Sequence, residues 1–377
     1  MVNYSKPVHA RIHTLLALQV FSSSAHAINV NNQFSINATF NGVYQYGFFQ
    51  DNIDEAGRLV ADKGRGNGGV DLELDFTPTE IDEFYVLLQY SADNGLNDIW
   101  MGPVVPNGHP LEDDLKNING KSRDYITEAW YRHYFEFGEN LGVGITGGIL
   151  DSTIYVDDNE YANDELTQFM NNMFINDQVA NPPSYDWGGL VEFDFGSWTL
   201  SSVAMFLKTG DDANRHFQYY VTQLRFGTES ILGEGHYRIL AYTTNKRFLN
   251  VSGDGFERLQ GMGGSFDQQL GENLGIFFRA YRQKEDAAVD FHWDVSGGMN
   301  IVGNLWGRID DEFAIGYGYI KGGNGDIQSI HVFETYYKFQ INSFSSLTLD
   351  LQYMKDSLKQ VDDRKVWIPG VRFIAYF

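Results

Sequence analysis

Residues 70–76 read Val70, Asp71, Leu72, Glu73, Leu74, Asp75 and Phe76, with a carboxylate at every second position and an apolar side chain between. A β-strand sends successive side chains to opposite faces, so this segment has one apolar face and one acidic face. It needs an apolar phase on one side and water on the other. The pattern recurs along the chain. Val191, Phe193 and Phe195 alternate with Glu192 and Asp194, and Leu347, Leu349, Leu351 and Tyr353 alternate with Thr348, Asp350 and Gln352. The last segment ends on Phe377, and counting back in twos gives Ala375, Phe373, Val371, Pro369 and Trp367, all apolar, with Arg372 on the other parity.

Alternating segments fill 34–48, 70–76, 84–92, 125–137, 141–150, 188–195, 198–208, 216–226, 235–245, 257–267, 274–284, 290–301, 312–321, 330–341, 345–356 and 366–377, sixteen in all. Their connections alternate between short turns, such as 138–140 and 196–197, and longer loops, such as 49–69, 93–124, 151–187 and 209–215. Short turns at one end and long loops at the other, with a terminal strand closing on Phe, resemble the bacterial outer-membrane barrels. Ala375 stands where such barrels more often carry an aromatic residue. Hydrocarbon offers no partner to a backbone N–H or C=O, so a spanning sheet must close on itself. The expected fold is therefore all-β: a closed antiparallel transmembrane β-barrel of about sixteen strands, with Asp71, Glu73, Asp75, Glu192 and Asp194 facing a water-filled lumen. A soluble β-sandwich explains the alternation but neither the turn lengths nor the terminal Phe.

The N-terminus fits export. Lys6 and Arg11 precede the apolar run 12–21, and Ala25, His26 and Ala27 form a small-x-small cleavage site. Residues 1–27 read as a secretory signal peptide and 28–377 as one barrel domain in the outer membrane of a Gram-negative bacterium. No later stretch is long and apolar enough for a membrane-spanning helix. There is no cysteine, hence no disulfide. The formal charge is −23, and loss of the leader with its two cations makes the mature chain more acidic still. That balance argues against nucleic acid as a partner.

The connection 151–187 is the most unusual. Asn163 or Asp164 is placed to cap a short helix carrying Leu166, Phe169, Met170 and Met173 at helical spacing, which gives the loop an apolar anchor. In sixteen-stranded porins the loop after the fifth strand commonly folds inward and narrows the pore, and this segment falls in that slot. Asp157, Asp158, Asn159, Asp164 and Glu165 offer hard oxygen ligands, but not at EF-hand spacing, so the segment reads as an acidic loop without a metal. No cofactor motif is present, and the nine histidines make neither an HExxH motif nor a recognisable triad.

Gly147, Gly148 and Ile149, Asp151 to Thr153, Asp157 to Asn159, Tyr161 to Glu165, Thr167 to Phe169, Pro183 to Asp186 and Gly188-Gly189 together resemble the carbohydrate-selective porin family. The resemblance implies a monomer or homotrimer that passes small sugars or other hydrophilic solutes by passive diffusion, with outer-membrane lipid around it. Strand parity puts Glu128, Trp130, Arg132 and Tyr134 on one face, and Glu192, Arg225, Arg238, Arg279 and Arg372 are further candidate lumen residues. With Tyr155, Asp157, Asp158, Asp164 and Glu165 they form the candidate pore lining. Acids, guanidiniums and aromatic faces suit sugar hydroxyls and C–H faces; the same charges could equally pair with one another and stabilise the barrel. Two other functions stay open: a general or cation-preferring porin, which the acidity favours, and a barrel-embedded hydrolase.

Overall fold

A computed structural model of the chain describes residues 28–53, 57–116, 118, 125–138, 140–209 and 212–377; the leader expected at 1–27 lies outside them. Sixteen long strands run in chain order: β1 (Phe34–Gln50), β2 (Lys63–Phe76), β3 (Asp82–Ala92), β4 (Ile126–Glu136), β5 (Leu141–Leu150), β6 (Asp186–Phe195), β7 (Trp198–Thr209) and β8 (Asp212–Ser230). The second half is β9 (Gly233–Thr244), β10 (Gln260–Leu270), β11 (Leu274–Gln283), β12 (Phe291–Val302), β13 (Glu312–Gly322), β14 (Ile327–Asn342), β15 (Ser345–Leu358) and β16 (Arg364–Tyr376). Each pairs antiparallel with the next, and β16 pairs back onto β1, so the sheet closes as a sixteen-stranded barrel. A short strand, Ile28–Asn31, folds back on the start of β1.

The ring closes at the C-terminus. Phe377 N–H donates to the Ala38 carbonyl at 2.8 Å, and Ala38 N–H donates to the Phe377 carbonyl at 3.0 Å. The parity of β16 is as its alternation predicts: Trp367, Phe373 and Phe377 are exposed on the outside while Arg372 is buried inside. Asp71, Glu192, Thr348, Asp350 and Gln352 likewise point inward and are buried.

Several strands run past their expected ends. β2 starts at Lys63, not at 70, although Gly64, Gly66, Gly68 and Gly69 make a poor strand by composition. Pairing with β1 from Gly47↔Lys63 onward supplies the hydrogen bonds and overrides the weak propensity. The expected loop at 209–215 is largely absorbed into the ends of β7 and β8.

The interior is not polar throughout, as the sequence suggested it would be. Two apolar clusters sit inside the ring. One joins Tyr155, Val156, Val179 and Ala180 of the 151–185 loop to Leu190, Val203, Met205, Val221 and Leu240 of β6–β9. The other joins Phe169, Met173 and Phe174 of that loop, and Leu96, Trp100 and Val104 of the 93–125 connection, to Ile320, Ile330, Val332, Met354, Val366 and Ile368 of β13–β16. Where a loop packs on the inner wall, that wall becomes a dry core, and its residues are chosen accordingly.

Candidate functional site

The neck of the 151–185 loop is built from its own polar side chains. Asp151 Oδ1 accepts the Thr153 N–H at 2.8 Å, the Thr153 hydroxyl at 2.7 Å and the Ser184 hydroxyl at 2.8 Å. Ser152 Oγ donates to the Pro183 carbonyl. The two ends are thus tied together before the chain enters the lumen.

Inside, arginines of the wall take hold of the loop. Asp158 accepts Gln223 Nε2 at 2.9 Å, Arg225 at 3.1 Å and Arg238 Nε at 3.1 Å. Arg238 also pairs with Asp267. Burial alone would push the Asp158 carboxyl up, but Arg238 and Arg225 prevail and hold it below the ordinary carboxylate range. Asp157, fully buried and with a positive φ of 61°, accepts Arg279 Nε and the Tyr281 hydroxyl, each at 3.0 Å. The remaining Arg279 donors reach the carbonyls of Asp157, Ala162, Phe174 and Ile175, which come from both limbs of the loop. Arg372 donates to the carbonyls of Glu165 and Gln168 at 2.9 and 2.7 Å.

The far side of the loop is held by acceptors. Glu334 accepts the N–H groups of Met170 at 2.6 Å and Asn171 at 3.0 Å, and Gln352 accepts Asn171 Nδ2 at 2.9 Å. The helix here is α2 in chain order, Asn172–Ile175; α1 is Glu112–Leu115. It is shorter and lies later than the sequence predicted. Asp164 caps a turn, accepting the N–H groups of Leu166 and Thr167, but Phe169 and Met170 then bend away to reach the wall. The helix starts afresh with Asn171, whose side chain accepts the Met173 N–H. Phe169, Met170 and Met173 are buried as anticipated, whereas Leu166 is half-buried. Room for the anchor comes from Gly316 and Gly318 of β13: a Cβ there would stand 2.9 Å from Phe174 and 2.4 Å from Met173.

A second inward element was not anticipated. The 93–125 connection joins the first loop through Gly108 N–H to the Met170 carbonyl at 2.8 Å and Asn172 N–H to the Val105 carbonyl at 3.1 Å. Gln45 and Gln352 both donate to the Pro106 carbonyl, and His109 Nε2 lies 3.3 Å from Asp71 Oδ2. Burial opposes a charged His109 ring, but Asp71, with Glu165 and Asp164 beyond it, raises its pKa overall. Burial among Asp164 and Asp151, despite His109, pushes the Glu165 carboxyl to about 7. The signal for this second loop was its run of apolar residues, Leu96, Ile99, Trp100, Val104 and Val105, in a connection between strands.

Of the predicted lining residues, Asp157, Asp158, Arg225, Arg238, Arg279 and Arg372 meet one another or the loop backbone, Tyr155 is buried in the apolar cluster with Tyr85 and Trp130, and Asp164 and Glu165 lie on the loop's partly open turn. Glu128, Trp130, Arg132 and Glu192 form a separate group on β4 and β6. Trp130 stacks on Tyr85 with ring centroids 5.1 Å apart and donates to Glu128 at 3.0 Å. Arg132 pairs with Glu192 at 3.2 Å and lies 5.7 Å from the Tyr134 ring centroid. Both side chains lie against glycines of β5, since a Cβ on Gly142 or Gly144 would crowd Tyr134 or Arg132. Glu73, Asp75, Glu83, Arg132, Tyr134 and Asp194, all inward, stay partly open. Among the described residues no group of three His, Asp or Glu side chains is placed to hold a metal ion.

A relative from Aquifex aeolicus, an uncharacterized protein, is 31% identical over 300 residues, covering 78% of this chain and 85% of its own. The high-pH structure of Pseudomonas putida OprB superposes with a TM-score of 0.73 at 14% identity, over 93% of this chain and 95% of that one. The outer membrane channel DcaP of Acinetobacter baumannii gives a TM-score of 0.54 at 12% identity, over 95% and 99% of the two chains. These likenesses concern the fold. The family model for "Carbohydrate-selective porin, OprB family" matches residues 113–374. With a closed sixteen-stranded ring and a loop seated in its lumen, this chain is an outer-membrane porin and belongs to the carbohydrate-selective porin family.

Proposed function

We propose that the protein passes small sugars and similar hydrophilic solutes by passive diffusion, and that the 151–187 loop narrows the pore. The observation that carries this reading is the fastening of the loop to β8, β9, β11, β14 and β16, while Glu73 and Asp75 of β2, Glu83 of β3, Arg132 and Tyr134 of β4 and Asp194 of β6 stay partly open. Solutes then travel along that wall, past Glu73, Glu83, Arg132, Tyr134 and Asp194. Carboxylates and a guanidinium there offer hydroxyl partners, and Tyr134 offers a ring face. The family's carbohydrate selectivity favours sugars. A cation-preferring pore is the second reading, favoured by the excess of Glu73, Asp75, Glu83 and Asp194 over Arg132 and Arg65 along the same wall.

The test is a liposome-swelling series with neutral sugars of increasing size, paired with reversal potentials in a salt gradient. Entry of monosaccharides well above empty liposomes, with weak ion preference, supports the sugar reading. Strong cation preference with no faster entry of small sugars supports the second. Sugar entry that does not differ from empty liposomes, with no conductance, ends both.

A further inference from the structure

The second limb of the loop, residues 176–182, is held by an arrangement that Arg279 does not account for. Asp157 Oδ2 accepts the Asp177 N–H at 2.6 Å. Asp177 Oδ1 accepts the N–H groups of Val179 at 2.9 Å and Ala180 at 2.6 Å, closing a tight turn. Asp294 Oδ2, on β12, accepts the Gln178 N–H at 3.1 Å. The Asp177 and Asp294 carboxyls then face each other within hydrogen-bonding reach. Asp157, Asp177 and Asp294 are all at least 97% buried.

The charges around this turn can be enumerated. From the loop itself comes Asp157. From β11 come Arg279, whose Nε is on Asp157, and Tyr281, whose hydroxyl is on the same oxygen. From β8 and β9 come the Tyr219 and Tyr242 hydroxyls, which donate to the carbonyls of Ala180 at 2.8 Å and Val179 at 2.9 Å. From β12 comes Asp294. Three carboxyls therefore face one guanidinium, and that guanidinium is engaged by Asp157. Two ionised carboxylates cannot share a dry site at contact; one proton between them turns repulsion into a hydrogen bond.

We propose that Asp177 and Asp294 are positioning residues of the passage, which seat the second limb of the loop against β12 through one shared proton. Neither touches solute. The proton is bound when the limb is seated and released when it leaves, so seating weakens as pH rises. Burial, with Asp294 and Asp157 alongside, raises the Asp177 carboxyl well above its ordinary range, in accord with this arrangement. The sign follows from linkage. Once the limb is free in water, Asp177 ionises near its ordinary value; seated, it keeps the proton to higher pH. The hold is full below the free-limb value and fades between the two.

The consequence for the pore rests on the reading that this loop narrows it, so the experiment uses two readouts. The chain has no native cysteine. Val179→Cys, at a buried position of the turn, reports limb release by its labelling with a small maleimide in the folded, detergent-solubilised protein. Between about pH 6 and about pH 10, labelling, corrected for thiol ionisation with an exposed control cysteine, should quicken by up to tenfold per pH unit for a one-proton release. In the Asp177→Asn background the amide donates to Asp294 without needing a proton, and the corrected rate should be flat. Single-channel conductance over the same range should rise in the parent and stay level in D177N. A flat corrected rate in the parent, or an equal rise in D177N and in Asp294→Asn, overturns the proposal. A rise in labelling with unchanged conductance keeps the shared proton and instead removes the loop as the narrowing element.

Discussion

Arg279 Nε on β11 stands 3.0 Å from Asp157 Oδ1, in a loop that leaves the barrel wall six strands earlier. Both side chains are at the floor of exposure, and the same guanidinium reaches carbonyls on both limbs of the loop. The pair is thus a clamp, not a ligand open to solute. Arg279→Met removes every one of these donors while filling similar volume. Leaving one partner of a buried pair uncompensated costs about 3–5 kcal/mol. That cost falls on the loop's seating, since the barrel's own ladder hydrogen bonds remain. The expected outcome is a folded barrel with larger single-channel conductance and faster entry of larger sugars. Arg279→Lys, with three donors in place of five, should fall between. A variant that keeps the parent size limit would show that the clamp does not set the passage.

The second clamp responds to acid in the opposite sense from the Asp177 turn. Asp158 is held below the ordinary carboxylate range by Arg238 and Arg225, against the opposing effect of burial. A depressed carboxyl contributes stability above its free value and loses it as pH falls through the seated value. Conductance of the parent protein should therefore rise below about pH 4, where even paired carboxylates begin to protonate. Asp158→Asn should show the looser behaviour already at neutral pH and less further change on acidification. Planar-bilayer recordings across the acid range check this; an Asp158→Asn channel indistinguishable from the parent at neutral pH would count against the clamp.

Gly148 on β5 marks a different kind of constraint. Its φ is +147°, and a Cβ would lie 2.3 Å from the Ala129 carbonyl oxygen on β4. That oxygen is backbone and cannot swing aside. Gly148→Ala should destabilise the barrel by roughly 1–3 kcal/mol or more through strained backbone alone, and it sits three residues before the loop begins. Loss of heat-resistant migration in electrophoresis, with refolding yield as a second measure, tests it. Gly147, two positions from Ile149 and on the outer face with nothing near its Cβ, is the control: Gly147→Ala should be mild.

The frame was legible in the sequence because its physics is local. A period of two, read at Asp71 to Phe76 or Leu347 to Tyr353, fixes which side chains face lipid whatever their neighbours are. Closure at Ala38 and Phe377 follows once the strands number sixteen. The loop's place was legible from strand order, and its anchor from Phe169, Met170 and Met173. What could not be read were the partners. Arg225, Arg238, Arg279 and Arg372 had the right parity, but parity cannot tell a guanidinium open to solute from one resting on a loop carboxylate or carbonyl far away in sequence. The pairing of Asp177 with Asp294 and the docking of Val105 on Asn172 are likewise long-range contacts with no local signature. The dry inner wall at Ile320, Val332 and Ile368 was visible as apolar residues on the lumen parity, yet its meaning needed the loops that cover it.

Arg132 is a basic residue on the partly open wall, and its environment separates selectivity from stability. It pairs with Glu192 at 3.2 Å, has Glu83 and Asp194 near it, and keeps part of its side chain open. Arg132→Gln keeps a donor for Glu192 but removes the positive charge from a wall that carries Glu73, Asp75, Glu83 and Asp194. Removing that charge deepens the negative potential that solutes meet, and low-dielectric walls focus such a potential along a narrow path. The expected result is a reversal potential shifted toward cations, with thermal stability of the barrel changed little beside Arg279→Met. The shift should shrink at high salt, because a charge that reaches water is screened within about 8–10 Å at physiological ionic strength. Glu83→Gln should move the reversal potential the other way. If both variants leave it where it was, ions do not follow the β2–β6 wall, and the passage must be sought on another side of the loop.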